Sequence, residues 1–300
     1  MYVVTGITGN TGSVVAERLM AAGKKVRGVS RTAGHLEPLV QKGCEAAVAD
    51  LTNREALAEA FDGAEGVYVM IPPEPAGPDF RLHQRAVIQA VGSALERSKV
   101  KNVVALSSVG AEKAEKTGPV VGLHEMEERL NSIAGLNVLH LRAGYFMENT
   151  LTQAGIIQAV GSAAGPLLPE LKISMIASYD IGVAAAQALI ELDFNSHQTR
   201  ELLGPRDISM EEVATIIGKT IGRPDLKYVH SSQNQVRDVM LKMGMQADLV
   251  SLILEMTSAM NTGFMKAMGP RNARNSTPTT YEEFAQKKFL PYYQKTRVAA

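Results

Sequence analysis

The sequence predicts an α/β protein built on a doubly wound parallel sheet. The first reason is its opening: residues 2–5 are β-branched or aromatic and lead through a glycine-rich turn into a helical pattern. The second is that short apolar runs alternate with helical patterns as far as residue 141, as in successive strand–helix units. In such a sheet, ligands bind outside the carboxyl ends of the strands.

The glycine-rich turn is the first candidate binding site. Gly6 suits a tight turn, Gly9 lets a phosphate approach the backbone, and Gly12 lets the helix pack closely on the strand. Free N–H groups and partial positive charge at the helix N-terminus suit a pyrophosphate. The alternative is a glycine-rich turn without a ligand. We predict cofactor contacts from the whole turn: Gly6, Thr8, Gly9, Asn10, Thr11 and Gly12.

The end of the second predicted strand, residues 25–30, bears on the choice of cofactor. An NAD-specific site usually carries an Asp or Glu there to accept the ribose 2′-hydroxyl, but this chain has Ser30-Arg31-Thr32. A carboxylate would repel a 2′-phosphate, whereas the guanidinium of Arg31 can pair with it. The sequence therefore favours NADP over NAD, the alternative being an ordinary solvated arginine.

Three later strands are predicted at residues 45–49, 66–71 and 103–107. Their carboxyl ends are expected at the edge of the sheet where the glycine-rich turn lies. Asp50 follows the first of them and either accepts from an adenine amino group or caps the next helix, or both. The loop from Pro72 to Pro78 is expected to lie over the cofactor. The cofactor contacts predicted at these strand ends are Asp50, Leu51, Met70, Ile71, Pro72, Ser107 and Ser108.

A helix then carries His124 and Glu128, which share one face because they are four residues apart. The alternative is a surface pair without a role in catalysis. A sixth strand, residues 137–141, leads into a loop with Tyr145, Phe146 and Asn149, which we interpret as a pocket wall.

The C-terminal half gives weaker signals. Short strands are predicted at 174–177 and 201–203, with Asp180 capping the helix between them. Ser209 and Glu212 have the spacing of a capping box. Residues 231–268 are predicted to be helical. This stretch is rich in methionine and is expected to cover an apolar pocket, to meet a partner, or simply to pack in a core.

Composition excludes several classes of protein. The formal net charge is zero and no Lys/Arg block stands out, so nucleic-acid binding is not expected. Cys44 is the only cysteine, which excludes an intrachain disulfide and a thiolate metal cluster, and no third ligand suggests a metal site. No apolar run could span a bilayer, and a signal sequence is absent, so we expect a cytoplasmic protein.

These motifs together resemble the NmrA-like branch of the atypical short-chain dehydrogenase/reductase superfamily. The segments that carry the resemblance are residues 5–12, His124 with Glu128, 141–149, Gly204-Pro205 and 277–284. The resemblance implies a Rossmann-like domain, a smaller and mainly helical C-terminal domain, and a cleft that joins them. On this basis residues 1–150, with a returning segment at about 174–200, form the dinucleotide-binding domain. Residues 151–173 and 201–300 form the smaller domain.

The resemblance also implies NADP(H) binding, and it covers two kinds of protein. One kind comprises NADPH-dependent reductases, including quinone reductases; the other comprises regulators that sense NADP(H) without turnover and act through a protein partner. We favour the reductase, acting on an apolar or aromatic small-molecule acceptor. Both kinds leave open a homodimer or a protein partner bound through the methionine-rich helices.

No tyrosine in this chain has a lysine four residues later, so the Tyr-x-x-x-Lys machinery of ordinary short-chain dehydrogenases is missing. We predict His124 as proton donor, because histidine titrates near neutrality, with Glu128 orienting it or stabilising its charge. Tyr145 is a second candidate donor and a cofactor contact with Phe146, and Asn149 is a substrate contact. Ser107 and Ser108 are expected to hydrogen-bond the nicotinamide ribose or a substrate oxygen.

Overall fold

The structure is a computed structural model that describes residues 1–74, 77 and 79–298, with the side chains of 297 and 298 excepted. Its strands are β1 Tyr2–Val4, β2 Val26–Ser30, β3 Glu45–Val48, β4 Gly66–Val69, β5 Asn102–Ser108, β6 Asn137–Ala143, β7 Tyr145–Phe146, β8 Ala163–Gly165, β9 Ile173–Ile176, β10 His197–Leu202, β11 Asp207–Ile208 and β12 Tyr228–His230.

Its α-helices are α1 Gly12–Ala21, α2 Glu37–Val40, α3 Arg54–Phe61, α4 Phe80–Ser98, α5 Val121–Asn131, α6 Gln153–Val160, α7 Ser178–Glu191, α8 Met210–Thr220, α9 Gln233–Lys242, α10 Ala247–Asn261, α11 Tyr281–Phe284 and α12 Leu290–Val298. A π-helical turn, Ala285–Phe289, joins the last two. In the described part of the chain, no helix is long and apolar enough to cross a membrane.

The central sheet confirms the predicted fold class. Its strand order is β10-β6-β5-β4-β1-β2-β3, and β1 pairs in parallel with both β2 and β4. The order β3-β2-β1-β4-β5-β6 is that of a doubly wound dinucleotide-binding sheet, in which the direction of winding reverses between β1 and β4. The carboxyl end of β1 therefore lies at the switch point where such sheets bind ligands.

The chain forms two compact units. The first contains Met1–Ala114, Pro119–Arg142 and Tyr179–Arg200, and the second contains Glu115–Gly118, Ala143–Ser178 and Glu201–Ala300. In this division the first long run of the first unit reaches Arg142 and the returning segment is Tyr179–Arg200, where the sequence predicts residue 150 and about 174–200. Since β6 continues to Ala143 and β7 pairs with β9, the segment after Arg142 joins the second unit's small three-stranded sheet, β11-β9-β7.

Each unit has its own apolar core. In the first, residues of the sheet such as Val67, Val103 and Val138 pack with Phe61 and Leu95 from the helices, and all are 1% exposed or less. The second core is assembled from many short elements: Met147, Ala154, Ile157, Met175, Ile208, Val213, Ile217, Leu226, Tyr281, Phe284 and Phe289 are among its buried members. Burial of this apolar surface is the main force that stabilises each unit.

Two predicted helix caps are wrong. The cap of α3 is Asn53, whose side chain accepts from the Ala56 N–H at 3.1 Å, so Asp50 does not cap that helix. Asp180 lies within the first turn of α7, which begins two residues earlier at Ser178. By contrast, the capping box of Ser209 and Glu212 is confirmed at the start of α8, with both reciprocal hydrogen bonds formed.

The methionine-rich stretch is helical over α9 and α10 only, because the chain leaves the helix at Gly244 and again at Gly263, both with positive φ. Met260 is buried in the second core, and other methionines pack beside buried residues of this unit: Met240, Met245, Met256 and Met265. Met243 and Met268 are exposed. Core packing is therefore the main use of these side chains.

Candidate dinucleotide-binding site

The glycine-rich turn follows β1 at the switch point of the sheet. Thr5 is anchored there by its N–H to the Tyr68 carbonyl, and Gly6 then adopts φ +59°. A Cβ on Gly12 would lie 2.3 Å from the Gly6 carbonyl oxygen, and one on Gly9 would lie 3.2 Å from the same atom. The turn can close this tightly only because these positions lack side chains.

The N-terminus of α1 is open to a ligand. Thr11 stands at the cap position, but within the described residues its side chain makes no capping hydrogen bond, and the first helical turn contains no acid. Thr8, Gly9 and Asn10 are exposed around it. Uncapped backbone N–H groups with partial positive charge fit a diphosphate, so this turn meets the requirement of a dinucleotide site.

Buried contacts with β4 and the residue after it fix the shape of the turn. The Tyr68 hydroxyl donates to Thr11 Oγ1 at 2.9 Å, and both side chains are 5% exposed or less. Burial raises the pKa of Tyr68, so its proton stays in this bond. The side chain of Met70 lies against Gly6, where an added Cβ would approach its sulfur to 2.8 Å. These two contacts tie the turn to β4 and to the residue that follows it.

Arg31 stands just past the end of β2, as predicted, and is 68% exposed on its side chain. Its Nη1 donates to Glu74 Oε2 at 3.1 Å, a partner that comes from the loop after β4. Asp50 follows β3 and accepts from the N–H and the hydroxyl of Thr52. Burial acts to raise the pKa of Asp50, but the Thr52 hydrogen bonds and the charges of Arg31 and His83 outweigh it and lower the pKa.

The remaining predicted contacts of the first unit lie at the same strand ends. Leu51 is 7% exposed and belongs to the core, so its side chain packs inward. Ile71 and Pro72 are partly exposed after β4. The loop that we expect over the cofactor runs on to Pro78, but residues 75, 76 and 78 are outside the described residues.

Ser107 belongs to a buried network that the sequence did not reveal. Its hydroxyl donates to Glu127 Oε1 at 2.5 Å, and Arg142 donates to both carboxylate oxygens of Glu127, at 3.0 and 2.6 Å. Burial acts to raise the pKa of Glu127, but hydrogen bonds from Arg142 and Ser107 outweigh it and lower the pKa. The network ties α5 to the ends of β5 and β6, and the Ser107 proton is committed to it. Ser108 donates to the carbonyl of Val109.

His140, on β6 beside this network, is 1% exposed. Its Nε2–H donates to Asn131 Oδ1 at 2.8 Å, while Nδ1 has no hydrogen-bond partner among the described residues. The pKa of His140 is lowered to about 4, chiefly by burial; the charges of Arg142 and His197 act in the same direction, and that of Glu127 opposes them. The folded protein therefore holds this imidazole neutral.

We expect His140 to make stability depend on pH. Between about pH 6.5 and its folded pKa of about 4, the unfolded chain binds a proton that the folded chain does not. The free energy of unfolding should therefore fall by about 3 kcal/mol as pH drops through this window, at about 1.4 kcal/mol per unit of pKa shift. Urea titrations at pH 7 and pH 4.5 measure it.

His140→Leu should remove that share of the pH dependence, whereas His35→Leu, at an exposed position, should keep it. An equal loss of stability on acidification in His140→Leu and in the wild-type protein would contradict the assignment.

His124 lies on α5, and its Nδ1 is 2.9 Å from the carbonyl oxygen of Ala111. Because a carbonyl can only accept, Nδ1 carries a hydrogen and Nε2 is the atom left for a ligand. Glu128 is exposed, and among the residues described no hydrogen bond joins it to His124. The carbonyl of Ala111, rather than Glu128, is thus the group that orients the imidazole of His124.

Tyr145, Phe146 and Asn149 belong to the second unit. Burial raises the pKa of Tyr145 to about 12, although a hydrogen bond from the Asn149 side chain acts in the opposite direction. Tyr145 therefore stays protonated around neutral pH and suits hydrogen bonding better than proton transfer. Asn149 is exposed and Phe146 is partly buried.

Glu148, between these residues, has a structural task. Its carboxylate accepts the N–H of Ser178 at 3.1 Å and the Ser178 hydroxyl at 2.5 Å, at the first residue of α7. A carboxylate at a helix N-terminus satisfies free N–H groups and favours the helix dipole. This explains an acid within the 141–149 motif without a catalytic role.

Sequence reasoning missed Tyr68, Glu74, Glu127 and Arg142 as parts of the first unit's site. Glu127 gave a usable signal, because it lies on the apolar stripe of α5 with Leu123, Met126 and Leu130. A carboxylate at such a position is rarely buried without a partner. Glu74 gave no such signal, since its contact with Arg31 joins residues 43 positions apart.

The fold is a Rossmann-like doubly wound sheet, and the open glycine turn lies at its switch point, where sheets of this class bind ligands. The model of the NmrA-like family matches residues 2–285, and the chain belongs to that family. Tyr145 and the 141–149 motif, which carried the resemblance, lie inside the matched region.

Comparisons with known proteins agree with this placement. An uncharacterized oxidoreductase, YesF of Bacillus subtilis, is 29% identical over 266 residues, which cover 87% of this chain and 84% of the relative. The NADPH-dependent quinone oxidoreductase of Escherichia coli, solved with NADPH, is 20% identical with a TM-score of 0.76, and covers 100% of this chain and 99% of its own. Triphenylmethane reductase of Citrobacter sp., solved with NADP(H), is 19% identical with a TM-score of 0.81, over 97% and 100% of the two chains. At these identities the two structures establish the shared fold.

Proposed function

We propose that this protein is an NADP(H)-dependent oxidoreductase that reduces a quinone-like or related conjugated small molecule. The observation that carries the proposal is the uncapped N-terminus of α1 at the switch point of the sheet, behind a turn in which a Cβ on Gly12 would lie 2.3 Å from the Gly6 carbonyl oxygen. That geometry supports dinucleotide binding, and the family relatives named above support reduction as the reaction class.

The residues of the first unit fit the parts of the cofactor. The N–H groups of Thr8 and of residues 10–12 would hold the diphosphate, since the Gly9 N–H already donates to the Gly6 carbonyl, and Arg31 would hold the 2′-phosphate. Asp50, which follows β3, would accept a hydrogen bond from an adenine amino group, and Met70 to Pro72 would line the same edge of the sheet. When bound, NADPH supplies a hydride, so reduction of a quinone to a hydroquinone requires one further proton.

His124 is the proposed source of that proton. Since Nδ1–H is committed to the Ala111 carbonyl, the ring can donate only from Nε2, and only in its doubly protonated form. The same hydrogen bond fixes the plane in which Nε2 points, which limits the loss of entropy on reaching the acceptor. We retain Tyr145 and Asn149 as proposed hydrogen-bond donors to the cofactor or acceptor.

The test of the function is NADPH oxidation with a panel of benzoquinones, naphthoquinones and triarylmethane dyes, followed by its absorbance. Steady consumption that requires both the acceptor and the protein supports a reductase. Tight NADP(H) binding without turnover on any acceptor would instead indicate a sensing protein and would refute the proposed reaction.

For His124→Ala we expect turnover with the best acceptor to fall about 100-fold, which is the low end of the contribution of a positioned acid. The dissociation constant of NADPH should change less than twofold, because the residue is not a proposed cofactor contact. Stopped-flow turnover and fluorescence titration measure the two quantities.

His197→Ala is the matched control, since His197 is an exposed histidine on β10 of the same unit. Turnover of His124→Ala equal to that of this control would remove His124 from the mechanism.

A further inference from the structure

The guanidinium proposed to bind a 2′-phosphate already has an anionic partner within the chain. Arg31 Nη1 and Glu74 Oε2 are 3.1 Å apart, which is a direct ion pair. Glu74 follows Pro72 and Pro73, whose rings fix two consecutive backbone φ angles after β4. The backbone that leads to Glu74 is therefore restricted, whereas its side chain keeps its own torsional freedom.

A second carboxylate contributes to the same region. Asp50, at the end of β3, is close enough to Arg31 for the two charges to interact. The end of β2 thus has one guanidinium facing two carboxylates, with His83 as the other titratable group that acts on Asp50. Without a ligand, one guanidinium and two carboxylates leave a net negative charge here, which does not attract a phosphate dianion.

We infer that Glu74 is a specificity-determining residue for the cofactor, because it competes with the 2′-phosphate for Arg31. The inference rests on the proposed function, since it requires a nicotinamide dinucleotide at the glycine turn. A cofactor with a 2′-phosphate must exchange the Arg31–Glu74 ion pair for a phosphate pair and must tolerate the released carboxylate. A cofactor with a 2′-hydroxyl leaves the ion pair intact. Glu74 therefore narrows the preference for NADPH over NADH.

The exposure of the two side chains makes the exchange feasible. Arg31 is 68% exposed and Glu74 is 32% exposed, so their attraction is screened by water and is weak. A phosphate dianion offers more charge than a carboxylate, together with a forked geometry that matches the guanidinium. The phosphate therefore displaces Glu74 from Arg31. Breaking that ion pair lowers the affinity for NADPH, and a variant in which Glu74 is replaced by a neutral residue would not have this loss.

The experiment measures dissociation constants of NADPH and NADH, by fluorescence or calorimetric titration, for the wild-type protein and Glu74→Gln. We expect NADPH to bind about threefold to fivefold more tightly to the variant, the size expected of one exposed ion pair, with NADH changed less than twofold. The gain should shrink at about 0.5 M salt, where the Debye length is only a few ångströms. In an Arg31→Gln background the gain should be smaller, because there is no pair left to exchange.

Glu96→Gln is the matched control. It removes the same charge from an exposed carboxylate that pairs with an arginine, Arg129, at 2.9 Å in the same unit. Three results for Glu74→Gln would overturn the inference. The first is an unchanged ratio of the two dissociation constants. The second is weaker NADPH binding, which would mean that Glu74 positions Arg31, and the third is weaker NADH binding alone, which would mean that Glu74 accepts the 2′-hydroxyl. Failure of both cofactors to bind the wild-type protein would refute the proposed function instead.

Discussion

Gly12→Ala should abolish most dinucleotide binding, with the affinity for NADPH falling about tenfold to 100-fold. The added Cβ would lie 2.3 Å from the Gly6 carbonyl oxygen and 2.7 Å from its carbon, so the backbone of the turn must move. Overpacking against rigid groups costs about 1–3 kcal/mol. The variant turn must meet that cost to regain the shape that binds the ligand, and each 1.4 kcal/mol of it lowers the affinity about tenfold. Titration with NADPH measures the loss directly.

Gly155→Ala is the matched control, because a Cβ there meets nothing within 4 Å and φ is not positive. A second comparison comes from Gly9→Ala, where the added Cβ would lie 3.2 Å from Gly6 O and a smaller loss is expected. Affinity of Gly12→Ala equal to that of the Gly155→Ala control would show that the turn does not hold the ligand.

Glu127→Ala should destabilise the first unit by about 3–5 kcal/mol, the cost of breaking a buried ion pair by removing one member, although Glu112 remains 3.5 Å from Arg142. Arg142 is 9% exposed and donates two hydrogen bonds to this carboxylate, and Ser107 donates a third. At about 2–4 °C per kcal/mol for a unit of this size, the melting temperature should fall by about 10 °C. Differential scanning calorimetry measures it.

Glu128→Ala provides the control from the next residue along α5. Glu128 is exposed, so the same truncation there should change the free energy of unfolding by less than about 0.5 kcal/mol. Equal destabilisation by the two substitutions would contradict the account of the buried network.

Local sequence signals predicted the elements of the first unit well. The strand, turn and helix around Gly6 are governed by neighbouring residues, and so is the capping box at Ser209, whose two hydrogen bonds span three positions. The strand order then follows from the general rules for parallel sheets. These features could be predicted because each depends on a short stretch of chain.

Contacts between distant segments could not be predicted in the same way. The pairing of Glu127 with Arg142 requires α5 to pack against the ends of β5 and β6, and the pairing of Arg31 with Glu74 joins two loops. The predicted cap at Asp50 failed for a different reason. Several polar residues stand before α3, and the backbone geometry selects Asn53 as the cap while Asp50 bonds to Thr52.

The proposed proton donor, His124, combines a feature that local sequence predicts with a contact that it does not. The spacing of His124 and Glu128 correctly places them on one helix, but it does not specify which neighbour the imidazole meets. That neighbour is the carbonyl of Ala111, thirteen positions before it in the chain, at the turn after β5. Main-chain partners of this kind leave no trace in residue type, so sequence patterns cannot reveal them.

The central claim is that backbone amides after β1 hold the diphosphate of a nicotinamide dinucleotide. Titration of the wild-type protein with NADPH, followed by calorimetry and repeated in the presence of 2′,5′-ADP, tests it most directly. The account predicts one saturable NADPH site per chain. It also predicts that the adenosine bisphosphate lowers the apparent affinity for NADPH by competing for this site. Absence of saturable heat up to about 1 mM NADPH, where even a binding free energy of only about −4 kcal/mol would show, would contradict it.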